Sequence, residues 1–195
     1  MNKRDLILDT MLELLKENKG ENCSISDIAK KAGIAKGGLY YYFKSKEGVV
    51  DALVERTYQK IINECQQIAS LDGLNAYQKL KNLYIYYRGT IVSSDLDAYL
   101  HSPQNAYIHQ KSLAKILTSL SPIIAQIIQQ GNHEELFHCE YPLELSETML
   151  SVFCFLLDPG IFQWTHKQVE KKMIVLVSLL ENGLGIKTGS IDFLL

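Results

Sequence analysis

Proline is scarce, with four residues in 195, and no run of alternating apolar and polar residues is bounded by glycines. An all-β fold needs that punctuation, so its lack argues against one. Cysteine is equally sparse. Cys23, Cys65, Cys139 and Cys154 show no C-x-x-C spacing, which argues against a disulfide framework and leaves reduced thiols in a cytoplasmic protein as the expectation. The longest apolar run near the C-terminus, Met173–Leu180, is far short of the roughly 20 residues a spanning helix needs. Asp9 and Glu13 break the apolar stretch that follows Lys3 and Arg4, so no signal peptide is expected. Neither a secreted nor a membrane role is indicated. There is also no P-loop, no GxGxxG and no Ser/His/Asp order, so no catalytic residue and no cofactor is expected. His133-Glu134-Glu135-Leu136-Phe137-His138 resembles the zinc helix H-E-x-x-H, but its second His is one residue late. On a helix the two imidazoles would not share a face, and only a loop site at His138-Cys139 beside Glu140 stays open.

What the chain does contain is ordinary globular material: 47% hydrophobic and 22% charged residues, with a net charge of −2. That length suits one large domain or two small ones. The charge is unevenly spread. Residues 1–50 carry +2 and the remainder −4, and Ser24–Lys46 holds five lysines (Lys30, Lys31, Lys36, Lys44, Lys46) against Asp27 alone. A basic module on an acidic body suits a protein that meets phosphate at one end. Taken by itself, such a cluster is more often a solvated lysine face.

Helical periodicity predicts an all-α fold. Ile7, Met11, Leu14 and Leu15 recur at helical spacing in a first helix from Lys3 to Asn18, ended by Gly20. Ser24, three residues before Asp27, comes close to a capping box and opens a short helix to Lys31, with Gly33 placed to close it. A second short helix is expected over Lys36–Phe43, then a long one from Ser45 to about Ala69. Leu71–Leu74 reads as a linker. Further helices are expected over Asn75–Ser93, Leu96–His101, Asn105–Gln130, Pro142–Leu157 and His166–Leu184, with Pro122 expected to kink or split the third of these. The division expected is a three-helix DNA-binding domain over 1–46, joined by a long fourth helix to an effector-binding and dimerisation domain over 47–195.

Ser24–Phe43 reads as two helices and a turn. A helix-turn-helix needs a small residue where the second helix crosses the first, supplied by Ala29, and a turn residue tolerant of positive φ four positions on, supplied by Gly33. Ile28, Ala32, Ile34 and Leu39 are then the buried contacts. Lys36, Gly37, Tyr40, Tyr41 and Tyr42 are left on a short helix that can enter the major groove. Three adjacent tyrosines cannot all point inward from one helix, so Tyr41 and Tyr42 are assigned to the surface, and Phe43 with Tyr40 is divided between core and surface.

The string Ile28-Ala29…Ala32-Gly33-Ile34…Lys36-Gly37-Gly38-Leu39-Tyr40-Tyr41-Tyr42-Phe43-Lys44-Ser45-Lys46-Glu47 resembles the N-terminal domain of TetR-family regulators. Their pattern is a glycine turn, a variable pair, then Leu-Tyr-x-His/Tyr-Phe-x-x-Lys-Glu leading into a fourth helix. A looser similarity runs from Pro122 to Leu157, through Ile-Ile-x-Gln-Gly, an acidic pair, Phe and Tyr-Pro. The resemblance implies a ligand-responsive homodimeric repressor that binds a palindromic double-stranded DNA operator. It implies that Tyr40, Tyr42 and Lys46 contact the DNA backbone, that Lys36 and Gly37 lie at base edges, and that Tyr41 does either. Ser24, at the start of the second helix, is placed to meet a phosphate. Position 38 departs from the family, where it is usually small and polar or alanine-like. Gly37-Gly38 reads either as close backbone approach to DNA or as turn residues before a helix that starts at Gly38. The alternative function is an α-helical small-molecule-binding or adaptor protein with a vestigial helix-turn-helix.

A two-fold operator requires a symmetric protein, so a homodimer is implied. Met149, Val152, Phe153 and Leu156, with Met173, Leu176, Val177 and Leu180, make apolar stripes that serve as core and interface together. An unidentified small-molecule effector would lie between Asn75 and Leu157. Tyr84, Tyr87, Arg88, Tyr107, His109 and Phe153 supply the aromatic walls and polar tips that ligand pockets use.

Overall fold

The computed structural model describes residues 2–17, 19–20, 22–91 and 95–195. Among these there is no strand. The helices are α1 (Lys3–Lys16), α2 (Ile25–Lys31), α3 (Lys36–Tyr42), α4 (Lys46–Ala69), α5 (Ala76–Ile91), α6 (Asp95–Leu100), α7 (Ala106–His133), α8 (Pro142–Ser151) and α9 (His166–Leu184). Two short 3₁₀ turns and a π turn complete them. The expected all-α fold holds. Asn18 and Ser93, predicted as helix ends, lie outside the described residues.

The chain divides into two compact units, Met1–Lys60 with Ser93–Ser112, and Ile61–Val92 with Leu113–Leu195. In the first, α1 packs on α2 and α6, and α2 packs on α3. Its core is Ile7, Leu8 and Met11 of α1, Ile28 and Ala29 of α2, Leu39 of α3, and Val49, Val50 and Leu53 of α4. The cap residues set where each helix begins. The Asn2 side chain accepts the Arg4 N–H at 3.1 Å, and the Ser45 hydroxyl accepts that of Gly48 at 3.2 Å. Both satisfy donors that the first turn leaves open. Arg56 of α4 reaches Asp9 of α1 at 2.8 Å.

The second unit is organised by α7. This helix is long and apolar enough to cross a bilayer by composition alone. Leu113, Ile116, Leu120, Ile123, Ile124, Ile127 and Ile128 nevertheless bury its apolar face in the protein core. Pro122 does not split it. Both Pro122 and Thr118, whose carbonyl the proline leaves without an N–H, lie on the exposed side, so water can take the missing donor's place. After His133 the chain turns through Glu135, at φ 58°, and buries Phe137 completely. The H-E-x-x-H-like string is therefore no helix: His133 ends α7, and His138 lies beyond the turn, donating its N–H to the Leu184 carbonyl at 2.7 Å.

The turn at residues 71–74 sits inside the second unit rather than between units. Lys79, itself buried, spans it by donating to the Ala69 carbonyl and the Gln130 amide oxygen, both at 2.8 Å. Trp164 anchors the connection before α9 by donating its indole N–H to the Leu156 carbonyl at 2.7 Å. Gly185, at φ 67°, ends α9 in the left-handed region.

Candidate functional site

The polar end of the first unit is built from α2, its turn and α3. Ser24 and Asp27 form a reciprocal capping box. The Asp27 carboxylate accepts the Ser24 N–H at 2.8 Å and its hydroxyl at 2.6 Å, which holds the carboxyl below its ordinary pKa. α2 then closes through Gly33 at φ 66°, and Ile34 donates its N–H back to the Ala29 carbonyl at 3.0 Å. That closure turns the chain so that α3 can cross over Ala29, which is buried as its role requires.

α3 starts at Lys36, with Ala35 as its cap, so Gly37 and Gly38 are both helical residues rather than turn residues. Leu39 and Phe43 point into the core. Ala32 and Ile34, expected to be buried, are only half-buried, because the turn that carries them runs along the rim of the unit. Tyr40, Tyr41 and Tyr42 are 38%, 79% and 36% exposed, so all three project from the surface. Tyr41 and Tyr42 meet edge to face at 5.0 Å, and the Lys36 ammonium lies 5.9 Å from the Tyr40 ring centre.

The lysine cluster is not uniform. Lys31 forms ion pairs with Glu17 and Glu13, so its charge is largely spent within the unit. Lys30, Lys36 and Lys44 are exposed, while Lys46, at the start of α4, is half-buried. Lys44 donates to the Tyr40 carbonyl at the end of α3. Arg4 is a further cation of this unit. Its guanidinium stands 5.6 Å over the Phe43 ring, and only the fold brings the start of α1 to that place.

The second unit holds an apolar cavity of about 90 Å³, bounded by α5, α7, α8, α9 and the final turn. Of the six residues expected at an effector pocket, Tyr84, Tyr87 and Phe153 line it. The structure does not bring Arg88, Tyr107 or His109 to it. Arg88 is exposed, with one guanidinium nitrogen donating to the Tyr84 hydroxyl at 3.1 Å. Tyr107 is 78% exposed and lines a separate polar cleft in the first unit with Lys46 and Asp51. His109 is buried in the first unit against the His101 ring, 4.8 Å away. Periodicity missed the last wall, made by Ile191, Phe193 and Leu194. The apolar character of Ser190–Leu195 was the one available signal for it.

A helix-turn-helix unit with an exposed, lysine-bearing second helix, in a chain with no strand among its described residues, defines a DNA-binding regulatory protein. Comparison with known proteins is consistent along most of the chain. Residues 7–53 match the model of bacterial regulatory proteins of the tetR family, and residues 90–178 match the tetracyclin repressor-like C-terminal domain. The chain belongs to the TetR family.

The uncharacterized HTH-type transcriptional regulator YvdT of Bacillus subtilis is 43% identical over 53 residues, 27% of each chain. The fatty acid metabolism regulator protein of Bacillus subtilis is 34% identical over 61 residues, 31% of each chain. The aligned parts thus span about a third of those relatives or less. A TetR/AcrR-family transcriptional regulator from Thermobifida fusca superposes with a TM-score of 0.63 at 24% identity, covering 92% of this chain and 97% of that one.

Proposed function

We propose that the protein is a ligand-responsive homodimeric repressor that binds a palindromic operator through α3 of each protomer. The observation that carries this reading is the exposed face of α3, where Lys36 and three tyrosines project from a helix locked by Leu39 and Phe43. Residues 1–46 form its DNA-binding part. Lys36 and the bare backbone at Gly37 face base edges. Tyr40, Tyr42 and Lys46 sit on phosphates, with Ser24 and the start of α2 beside them, and Tyr41 reaches either. A cytoplasmic location follows from a DNA partner.

Dimerisation is assigned to α8 and α9. The stripe Met173, Leu176, Val177 and Leu180 turns inward to the core. The neighbouring Ile174, Val175 and Leu179 are 53–62% exposed and leave apolar side chains outward for a second copy to cover. The effector binds in the cavity of the second unit, and α4, which contributes residues to both units, carries the change toward α3. Gel shift on the DNA upstream of the protein's own gene tests the reading. A specific complex at moderate salt is expected, and its absence across that region and neighbouring promoters would count against it.

A further inference from the structure

We infer that the cavity of the second unit selects a small, uncharged, hydrocarbon-like molecule and rejects carboxylates and amines of the same size. This rests on the reading of that cavity as the effector site and adds the class of the effector.

The wall chemistry is the first ground. Leu80, Leu83, Leu120, Ile124, Leu150 and Leu180 dominate the lining, and no Lys, Arg, His, Asp or Glu is among the residues that bound it. A charged group carried inside would lose its water with no counter-ion among the lining residues to meet it.

The second ground is that, of the three lining side chains with a hydroxyl, Ser146 and Tyr84 already donate to backbone carbonyls. The Ser146 hydroxyl, fully buried, donates to the Pro142 carbonyl at 2.6 Å. The Tyr84 hydroxyl donates to the Leu194 carbonyl at 3.0 Å and accepts from Arg88. The one buried carboxylate of α9, Glu181, accepts the Ile191 N–H at 3.3 Å and does not line the cavity. A ligand that needs a donor from either hydroxyl, as a carboxylate does, would have to break these bonds rather than complete them.

The third ground is local geometry. α8 passes into a π turn over Val152–Leu156, which buries Cys154 while Phe153 lines the cavity. Such turns insert an extra residue that re-aims the side chains around it, and they recur at binding sites. The size sets the scale of the ligand. At about 90 Å³ the resting space is smaller than the ~150 Å³ apolar cavity that takes benzene elsewhere, so it fits a short alkyl chain as it stands and a single ring only as the walls yield.

The test uses the full chain with toluene and benzoate, which differ chiefly in carrying a methyl or a carboxylate. Calorimetric titration and melting temperature are read for wild type, Leu83→Phe and Met149→Phe, the last two filling the cavity from different helices. Toluene is expected to bind and raise the melting temperature, benzoate to do neither, and the filled variants to bind toluene at least about tenfold more weakly. Where Leu83→Phe does not fold, Met149→Phe decides. Benzoate binding as tightly as toluene, toluene binding unchanged in the filled variants, or no binding of either probe would each overturn the inference. Gel shift on the same samples keeps the two readings apart. Toluene bound by a protein with no operator complex would overturn the regulator reading while leaving the ligand class standing.

Discussion

Ile34 donates its backbone N–H to the Ala29 carbonyl at 3.0 Å across Gly33, whose φ is 66°. This bond sets the angle at which α3 leaves α2. A Cβ at position 33 would touch nothing within 4 Å, so only the backbone requires glycine there. Gly33→Ala is expected to destabilise the protein by ~1–2 kcal/mol through left-handed strain, and to weaken operator binding as α3 shifts. Denaturant unfolding together with anisotropy on operator DNA would measure both; an unchanged midpoint would show that the turn does not need positive φ.

Gly37 and Gly38 behave in the opposite way. Both are helical, neither has positive φ, and a Cβ on either meets open space. The fold therefore gains nothing from them. Gly37→Ala and Gly38→Ala should each stabilise the chain by up to ~1 kcal/mol while weakening operator binding, since in the proposed docking the added methyl would meet the DNA. A loss of stability in either variant would mean that the glycines serve the protein and not its ligand.

Lys36 and Lys46 are expected to fail differently. Lys36→Ala should relax discrimination between operator and scrambled DNA. Lys46→Ala should weaken both and flatten the salt dependence by about one unit in the log–log slope. Titrations at several salt concentrations separate the two, and identical behaviour would contradict the orientation assigned to α3.

Gly131 lies against the fully buried Phe137 ring, where a Cβ would come within 2.0 Å of a ring carbon. Gly131→Ala must displace that ring from its edge-to-face contact with Tyr77, 4.8 Å away. A loss of ~1–3 kcal/mol is expected from overpacking, read as a lower melting temperature. An unchanged value would show that Phe137 moves aside freely.

The acid limb of stability should involve Asp27. Its carboxyl is held below its ordinary pKa of 3.8, chiefly by the Ser24 hydroxyl and then by the Ser24 N–H. A lowered folded-state pKa gives stability that is present above the unfolded value and is lost as pH falls through the folded one. Circular dichroism should therefore show wild type losing stability below about pH 4, and Asp27→Asn should lose less over that window. The carboxylate is fully exposed, so the difference will be small.

Local signals were legible where the chemistry is local. The Ser24–Asp27 box, the left-handed Gly33, the span of α9 and the exposure of Tyr41 all follow from residues within one or two turns of each other. What escaped depends on packing between distant segments. Pro122 continues a helix because its exposed side faces water. The α9 stripe at 173, 176, 177 and 180 is core, and it is the offset residues 174, 175 and 179 that remain outward. Tyr107 and His109 start α7, and that helix contributes to both units, so sequence proximity to the cavity residues did not translate into contact. The wall from Ile191 to Leu194 is set by the left-handed Gly185 and by the bonds to Glu181 and Tyr84.

Sequence reading by α3, as opposed to simple attraction of phosphate, requires operator and scrambled DNA to differ in affinity. Fluorescence anisotropy at about physiological salt, comparing the upstream operator with a scrambled duplex of equal length, tests it most directly. Operator binding is expected to be at least ~10³-fold tighter than scrambled binding, with most of that ratio lost in Lys36→Ala. Equal affinity for the two duplexes would contradict it.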